Sequence, residues 1–270
     1  MSLSIVQKDL ITRGVRKILS RKIEKFPQIG QEVRNAPFSQ LFLKAFEKQL
    51  KNINTPTPYL IAISSWLQGL DTTLGTGFES LAHILSGGIK KQYTRKRGTV
   101  LKIKSSQATK IEKIIRDLKS GQLKPNLNEE NKAIFAYNVS DNEVNSLDFT
   151  VDNYVETDKV IEGIELKSVR PNSGEGKGEK QKILYAKAAF KYNKPTKTIR
   201  YYVGFPFDPT SKTSTGYDKE RFFDYLVEFK KFFDPNEVLL SSELWDHLSG
   251  TRDTMEEILE VINKTLSDIK

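Results

Sequence analysis

The stretch Leu147-Asp-Phe-Thr-Val-Asp-Asn-Tyr-Val-Glu-Thr-Asp-Lys-Val-Ile-Glu-Gly-Ile-Glu-Leu-Lys167 changes the hydrophobic period of the chain and decides the fold class. Leu147, Phe149 and Val151 alternate with Asp148, Thr150 and Asp152. A two-residue repeat is the signature of a half-buried strand. Thr157-Asp158-Lys159 supplies turn chemistry, and residues 160–169 return as a second strand. Arg170-Pro171-Asn172 ends it, because Pro cannot donate to a sheet ladder. Glu165 and Lys167 share one face of this strand while Ile164 and Leu166 point to the core. Folding back at residues 157–158 brings Asp148 and Asp152 to the face of Glu165.

An acidic residue two before a Lys recurs elsewhere in the chain and carries no meaning alone. This copy differs because it sits in a strand alternation beside two aspartates. Metal-dependent phosphodiester cleavage needs such a cluster. Hard carboxylate oxygens hold Mg²⁺, the metal polarises the phosphate and acidifies a bound water, and a Lys orients that water. The same pattern also describes a solvated sheet face with cross-strand ion pairs. Periodicity and charge do not separate Asp148 from Asp152.

Upstream of the hairpin the chain reads as helical. Apolar residues recur at helical spacing from Ile5 to Lys25, and again from Phe38 to Leu50 with Phe42, Leu43 and Phe46 on one face. Residues 59–70 and 78–85 read as two helices joined by the Gly-rich turn at 71–77, which puts Glu79 in a first turn and suits dipole compensation. Residues 106–118 form another amphipathic helix. Downstream, a Gly- and Lys-rich loop (173–178) leads to a helix from Glu179 to about Phe190, then a buried strand at 199–207 and an amphipathic helix carrying Phe222, Leu226, Phe229 and Phe233. A final helix opens at Thr254 with Glu257 three residues later, the spacing of a capping box. Helices, a hairpin, a helix, a strand and more helices predict an α/β (α+β) fold around a small mixed sheet. We divide it into a helical N-terminal extension, residues 1–55, and a domain over residues 56–270.

Composition narrows the chemistry. Among 270 residues, 43 Lys+Arg against 34 Asp+Glu leave a net charge of +9, which favours polyanionic partners. With no Cys and two His (83 and 247), thiolate sites, disulfides and His-rich metal sites are excluded. Lys90 to Lys104 holds seven basic residues of fifteen and no acid, with Tyr93 interleaved, so Lys90, Lys91, Arg95, Lys96 and Arg97 are candidate phosphate contacts. Arg170, Asn172, Lys177, Lys180 and Lys182 form a second candidate DNA-binding group after the hairpin. Gly174-Glu-Gly-Lys-Gly-Glu-Lys-Gln-Lys182 lacks P-loop spacing, so a nucleotide site is rejected. No signal-peptide core or apolar span is present, which predicts a cytoplasmic protein with no membrane partner.

An Asp on one hairpin strand, Glu-x-Lys on the next and an acid on an earlier helix resemble the PD-(D/E)XK nuclease superfamily. The string from Ile164 to Phe190 is similar to the TdeIII family of type II restriction endonucleases. So are Leu74 to Leu85, Tyr201 to Pro209 and Glu243 to Gly250, in order from about residue 60 onward. No Pro precedes either Asp. The resemblance implies a restriction-endonuclease-like core with Glu165 as a metal ligand, Lys167 as the water-orienting Lys, Glu79 as the helix-borne acid, and Asp152 or Asp148 as the second ligand. It further implies Mg²⁺, double-stranded DNA, a homodimer and a short palindromic target of the GGNCC kind. Alternatives are a structure-specific repair or recombination nuclease and a non-catalytic DNA-binding protein.

Overall fold

In the computed structural model, which describes residues 3–29, 36–50, 55–167 and 173–268, four helices come first. These are α1 (Ile5–Ile23), α2 (Pro37–Lys44), α3 (Glu47–Leu50) and α4 (Thr57–Ser86). Next come β1 (Ile89–Tyr93), β2 (Lys102–Lys104), α5 (Ser105–Ser120), α6 (Leu127–Phe135) and β3 (Glu143–Asn145). The hairpin follows as β4 (Phe149–Glu156) and β5 (Val160–Leu166), then α7 (Ser173–Asn193) and β6 (Thr198–Phe205). The chain ends with α8 (Lys219–Tyr225), β7 (Val238–Leu240), α9 (Ser242–Ser249) and α10 (Thr254–Ser267).

The hairpin is the centre of a five-stranded mixed sheet, ordered β1-β4-β5-β6-β7. β1, β4 and β5 run antiparallel, whereas β6 and β7 run parallel to β5. The turn closes where its residues predict, with the Thr157 N–H donating to the Val160 carbonyl at 2.9 Å. β2 and β3 pair separately. Each face of the main sheet carries its own core. Val238 and Leu240 point to one side, with Ile111 and Ile115 of α5, Ile134 of α6 and Phe190 of α7. Leu239 points to the other, with Ile164, Ala82 of α4, Trp245 of α9, Ile258 of α10 and Ile11 of α1. The predicted mixed α/β architecture with helices against a small sheet is what the chain adopts, as expected for a restriction-endonuclease-like core.

Several local expectations are corrected. Residues 59–70 and 78–85 belong to the single helix α4. Helical glycine costs about 1 kcal/mol against alanine, but Gly77 lies under Ile18 of α1, where an added Cβ would stand 3.3 Å from the Ile18 methyl. The Thr73 hydroxyl donates to the Gly69 carbonyl one turn back at 2.8 Å, so this stretch satisfies itself as helix. Glu79 therefore lies near the C-terminal end of α4, not in a first turn.

The predicted loop at 173–178 is the beginning of α7. Gly176 faces the Phe229 and Phe232 rings, which stand 3.6–3.7 Å from where a Cβ would be, so this first turn packs as helix against them. Those phenylalanines do not continue one helix from Phe222. α8 stops at Tyr225, and a separate 3-10 turn holds Phe229. Thr254 is not a cap either: Glu257 instead receives the Leu3 N–H at 3.1 Å and Lys8 at 2.9 Å, fastening α1 to α10. The second hairpin strand ends at Leu166, and its predicted end at 168–172 lies outside the described residues.

Candidate active site

β4 and β5 bring Asp152 and Glu165 together at the open end of the hairpin, one step beyond the Asn153–Ile164 pair. There the Asp152 carboxylate takes over from the ladder: its Oδ2 accepts the Leu166 N–H at 3.2 Å. Its Oδ1 lies 3.3 Å from the Lys90 ammonium. Lys90 comes from β1 and also reaches Glu79 Oε2 at 2.9 Å, so the α4 acid joins the hairpin through a lysine. Burial would lower the Lys90 pKa, but the two carboxylates outweigh it and hold the ammonium above its ordinary value. His83, one turn after Glu79, meets the Asp152 carbonyl through Nε2 at 2.7 Å and braces the strand.

Glu165 faces α7 and is buried. Its Oε1 lies 2.7 Å from the Lys182 ammonium and 3.8 Å from Lys167. Its Oε2 is buried with no hydrogen-bond partner. Burial, opposed by Lys182 and reinforced by Asp152 and Glu179, pushes the Glu165 carboxyl up to about 8. Lys167 reaches Glu179 at 3.0 Å, and its backbone N–H donates to the Gly204 carbonyl of β6 at 2.9 Å. Beneath the carboxylates, the Tyr201 hydroxyl of β6 is fully buried without a hydrogen bond. Burial first, then Glu165, Asp152 and Glu179, raises its pKa well above the ordinary value.

Asp152, Glu165, Lys167 and Glu79 are thus brought into one constellation, and Asp148 is not. Both Asp148 oxygens accept the Arg95 N–H at 3.2 Å, which caps the 3-10 turn Arg95–Arg97. Four residues of strand separate Asp148 from Asp152, roughly 13 Å at 3.3 Å per residue. Among the predicted phosphate contacts, Arg95, Lys96 and Arg97 are exposed and Lys177 is half-buried. Lys91 lies over the Tyr154 ring at 4.0 Å, and Lys182 is engaged by Glu165 and Glu179. Lys180 is a correction: it is fully buried between Glu130 of α6 and Glu237, where no phosphate can reach it. Arg170 and Asn172 lie outside the described residues.

Glu179 and Tyr201 went unrecognised as site residues in sequence, and Lys182, read there as a phosphate contact, is paired with Glu165 and Glu179 instead. A signal for the Glu179–Lys182 pair existed, because a spacing of three puts an acid and a base on one helical face.

Among the described residues no three His, Asp or Glu close into a metal cage. Lysines stand between the carboxylates instead. The donor set still fits a hard divalent cation. Glu165 Oε2 is a buried carboxylate oxygen lacking any partner, next to Asp152, and Mg²⁺ characteristically takes one or two protein carboxylates and leaves its other positions to water and phosphate.

The chain matches the family described as type II restriction endonuclease, HinfI, over residues 3–266. It is 44% identical over 269 residues to the type II restriction enzyme MjaII of Methanocaldococcus jannaschii, covering 97% of this chain and 70% of that enzyme.

Proposed function

The chain belongs to the HinfI family of type II restriction endonucleases and is a site-specific deoxyribonuclease, and from that premise we propose that it works as a Mg²⁺-dependent homodimer on a short palindromic site in double-stranded DNA. The observation that carries the metal-dependent part is the buried, unpartnered Oε2 of Glu165 beside Asp152, at the end of a hairpin that also delivers Lys167.

Asp152 and Glu165 are the residues that would hold the metal. Bound there, Mg²⁺ supplies charge stabilisation at the phosphate and a more acidic water. Lys167, an ammonium with three donors, holds the attacking water in line. Lys90 offsets the negative charge that Glu79 and Asp152 would otherwise present to an incoming phosphate. The exposed Lys96 and Arg97 grip the backbone outside the centre, positioning the duplex without reading bases. Residues 1–55 extend a nuclease domain over residues 56–270, and the enzyme acts in the cytoplasm. Among the described residues no helix is long and apolar enough to cross a membrane.

Incubation of the protein with phage DNA and Mg²⁺, with an EDTA control, tests this reading. Discrete bands that vanish with EDTA support it. Cutting confined to branched DNA would assign a structure-specific nuclease, and bands that persist in EDTA would remove the metal from the reading.

A further inference from the structure

The two oxygens of Glu165 stand in different circumstances. Oε1 is taken by Lys182 at 2.7 Å, while Oε2, itself buried, has no hydrogen-bond partner. Lys182 is in turn held by Glu179, three residues earlier on the same face of α7, at 2.7 Å. The other oxygen of Glu179 holds Lys167 at 3.0 Å. Four side chains therefore close a ring: Glu165 to Lys182, Lys182 to Glu179, Glu179 to Lys167, and Lys167 back towards Glu165 at 3.8 Å. The backbone behind the ring is rigid, since Ile183, Leu184 and Ala186 of α7 are buried in the core.

We propose that Lys182 and Glu179 are positioning residues of the nuclease centre. Lys182 claims one oxygen of Glu165, so that only the other is offered to a divalent cation, and Glu179 tethers the ammonium of Lys167. The proposal rests on the reading of Glu165 and Lys167 given above. An unrestrained glutamate can offer a metal one oxygen or two, and its terminal torsion is soft. Mg²⁺ demands near-octahedral geometry and keeps several waters, so a site that fixes single-oxygen presentation leaves those positions open. A lysine in water samples many rotamers, and anchoring it confines its donors near the place where the water must sit. The ammonium of Lys182 also offsets the mutual repulsion of Glu165, Asp152 and Glu179. Its charge is committed inside the protein, so it acts through Glu165 and not on a DNA phosphate.

The test uses the full chain and four variants: Lys182→Met, Lys182→Arg, Glu179→Gln and Glu165→Ala. Three quantities are measured: Mn²⁺ affinity without DNA by calorimetry, duplex binding in Ca²⁺, and single-turnover cleavage at saturating Mg²⁺. Lys182→Met and Glu179→Gln should cut at least 30-fold more slowly, while binding Mn²⁺ no more than threefold more weakly and the duplex within threefold of the parent. Lys182→Arg, which keeps a cation on Glu165 Oε1, should recover most of the rate. A structural ion pair alone would not separate rate from metal affinity in this way. Should Lys182→Met misfold, the near-isosteric Glu179→Gln decides. Cleavage by Glu179→Gln and Lys182→Met within threefold of the parent, with Glu165→Ala inactive, overturns the positioning role and leaves the site standing. Loss of Mn²⁺ binding in Lys182→Met also overturns it. Activity in Glu165→Ala instead overturns the site assignment beneath it.

Discussion

Glu165 and Asp152 are buried carboxylates that the fold gathers despite their repulsion, and their removal should be read at the chemical step. Glu165→Ala and Lys167→Ala should each lower cleavage at least 1,000-fold, on the order of 4 kcal/mol of barrier, while retaining duplex binding in a gel-shift assay. Asp152→Asn should be inactive and Asp148→Asn nearly normal, because Asp148 is spent on capping the Arg95–Arg97 turn. The comparison of the two cleavage rates checks the assignment. The Glu165 carboxyl also sets a pH dependence. Its pKa rises from 4.5 to about 8 on folding, so the metal-free native state holds a proton that the unfolded chain has released. A folded pKa above the unfolded one means that the group's contribution to stability is present below 4.5 and is lost as pH rises through about 8. A cation must displace that proton, so the Mg²⁺ concentration giving half-maximal cleavage should fall as pH rises towards 8, and Mn²⁺ binding below that pH should release protons into buffer. A flat metal requirement over that range would contradict the shift. At this scale the sequence was legible for Glu165 and Lys167. It could not separate Asp148 from Asp152, because residues an even number apart point the same way, and the choice depends on where β5 ends and what caps the neighbouring turn.

The elements that carry these residues make their own tests. Gly163 of β5 lies against the Tyr201 ring, where an added Cβ would stand 2.7 Å from an aromatic carbon and 3.1 Å from Val151. Gly163→Ala should cost about 1–3 kcal/mol by overpacking, measured by urea denaturation, and should loosen the strand that holds Glu165. The turn between β1 and β2 exposes Lys96 and Arg97. Replacing both by Ala should weaken binding to all duplexes alike and reduce the slope of log K against log salt by up to about 1.8, taking 0.9 per phosphate. An unchanged slope would place the turn off the DNA. The hairpin, β6 and α5 were readable because period and turn chemistry agree locally. α4 was misread in its middle and α7 at its start, for a common reason. Gly75, Gly77, Gly174, Gly176 and Gly178 read as loop by propensity, whereas close approach of α1 to Gly77 and packing of Phe229 and Phe232 on Gly176 favour helix. Tertiary contact of that kind has no local signature.

Across the whole molecule the least legible feature is the charge inside it. Lys180 joins α7 to Glu130 on α6 and to Glu237 just before β7, all three buried, with Lys187 close by at 3.8 Å from Glu237. Lys180→Met should destabilise the fold by about 3–5 kcal/mol, because it leaves Glu130 buried without its cation and Glu237 with only Lys187 at 3.8 Å; chemical denaturation reads this directly, and a loss below 1 kcal/mol would refute it. Another global feature is how the sheet ends. One border, β7, is three residues long and fully buried. The other, β1, has an irregular register with β4 between Ile89 and Lys91 and carries adjacent lysines, Lys90 held by Glu79 and Asp152 and Lys91 over Tyr154. A border with an irregular register and two adjacent lysines is a poor template for a further strand. The lysine that serves Asp152 therefore has a second effect: it shields this border against cross-molecular strand stacking and the insoluble deposits that follow from it.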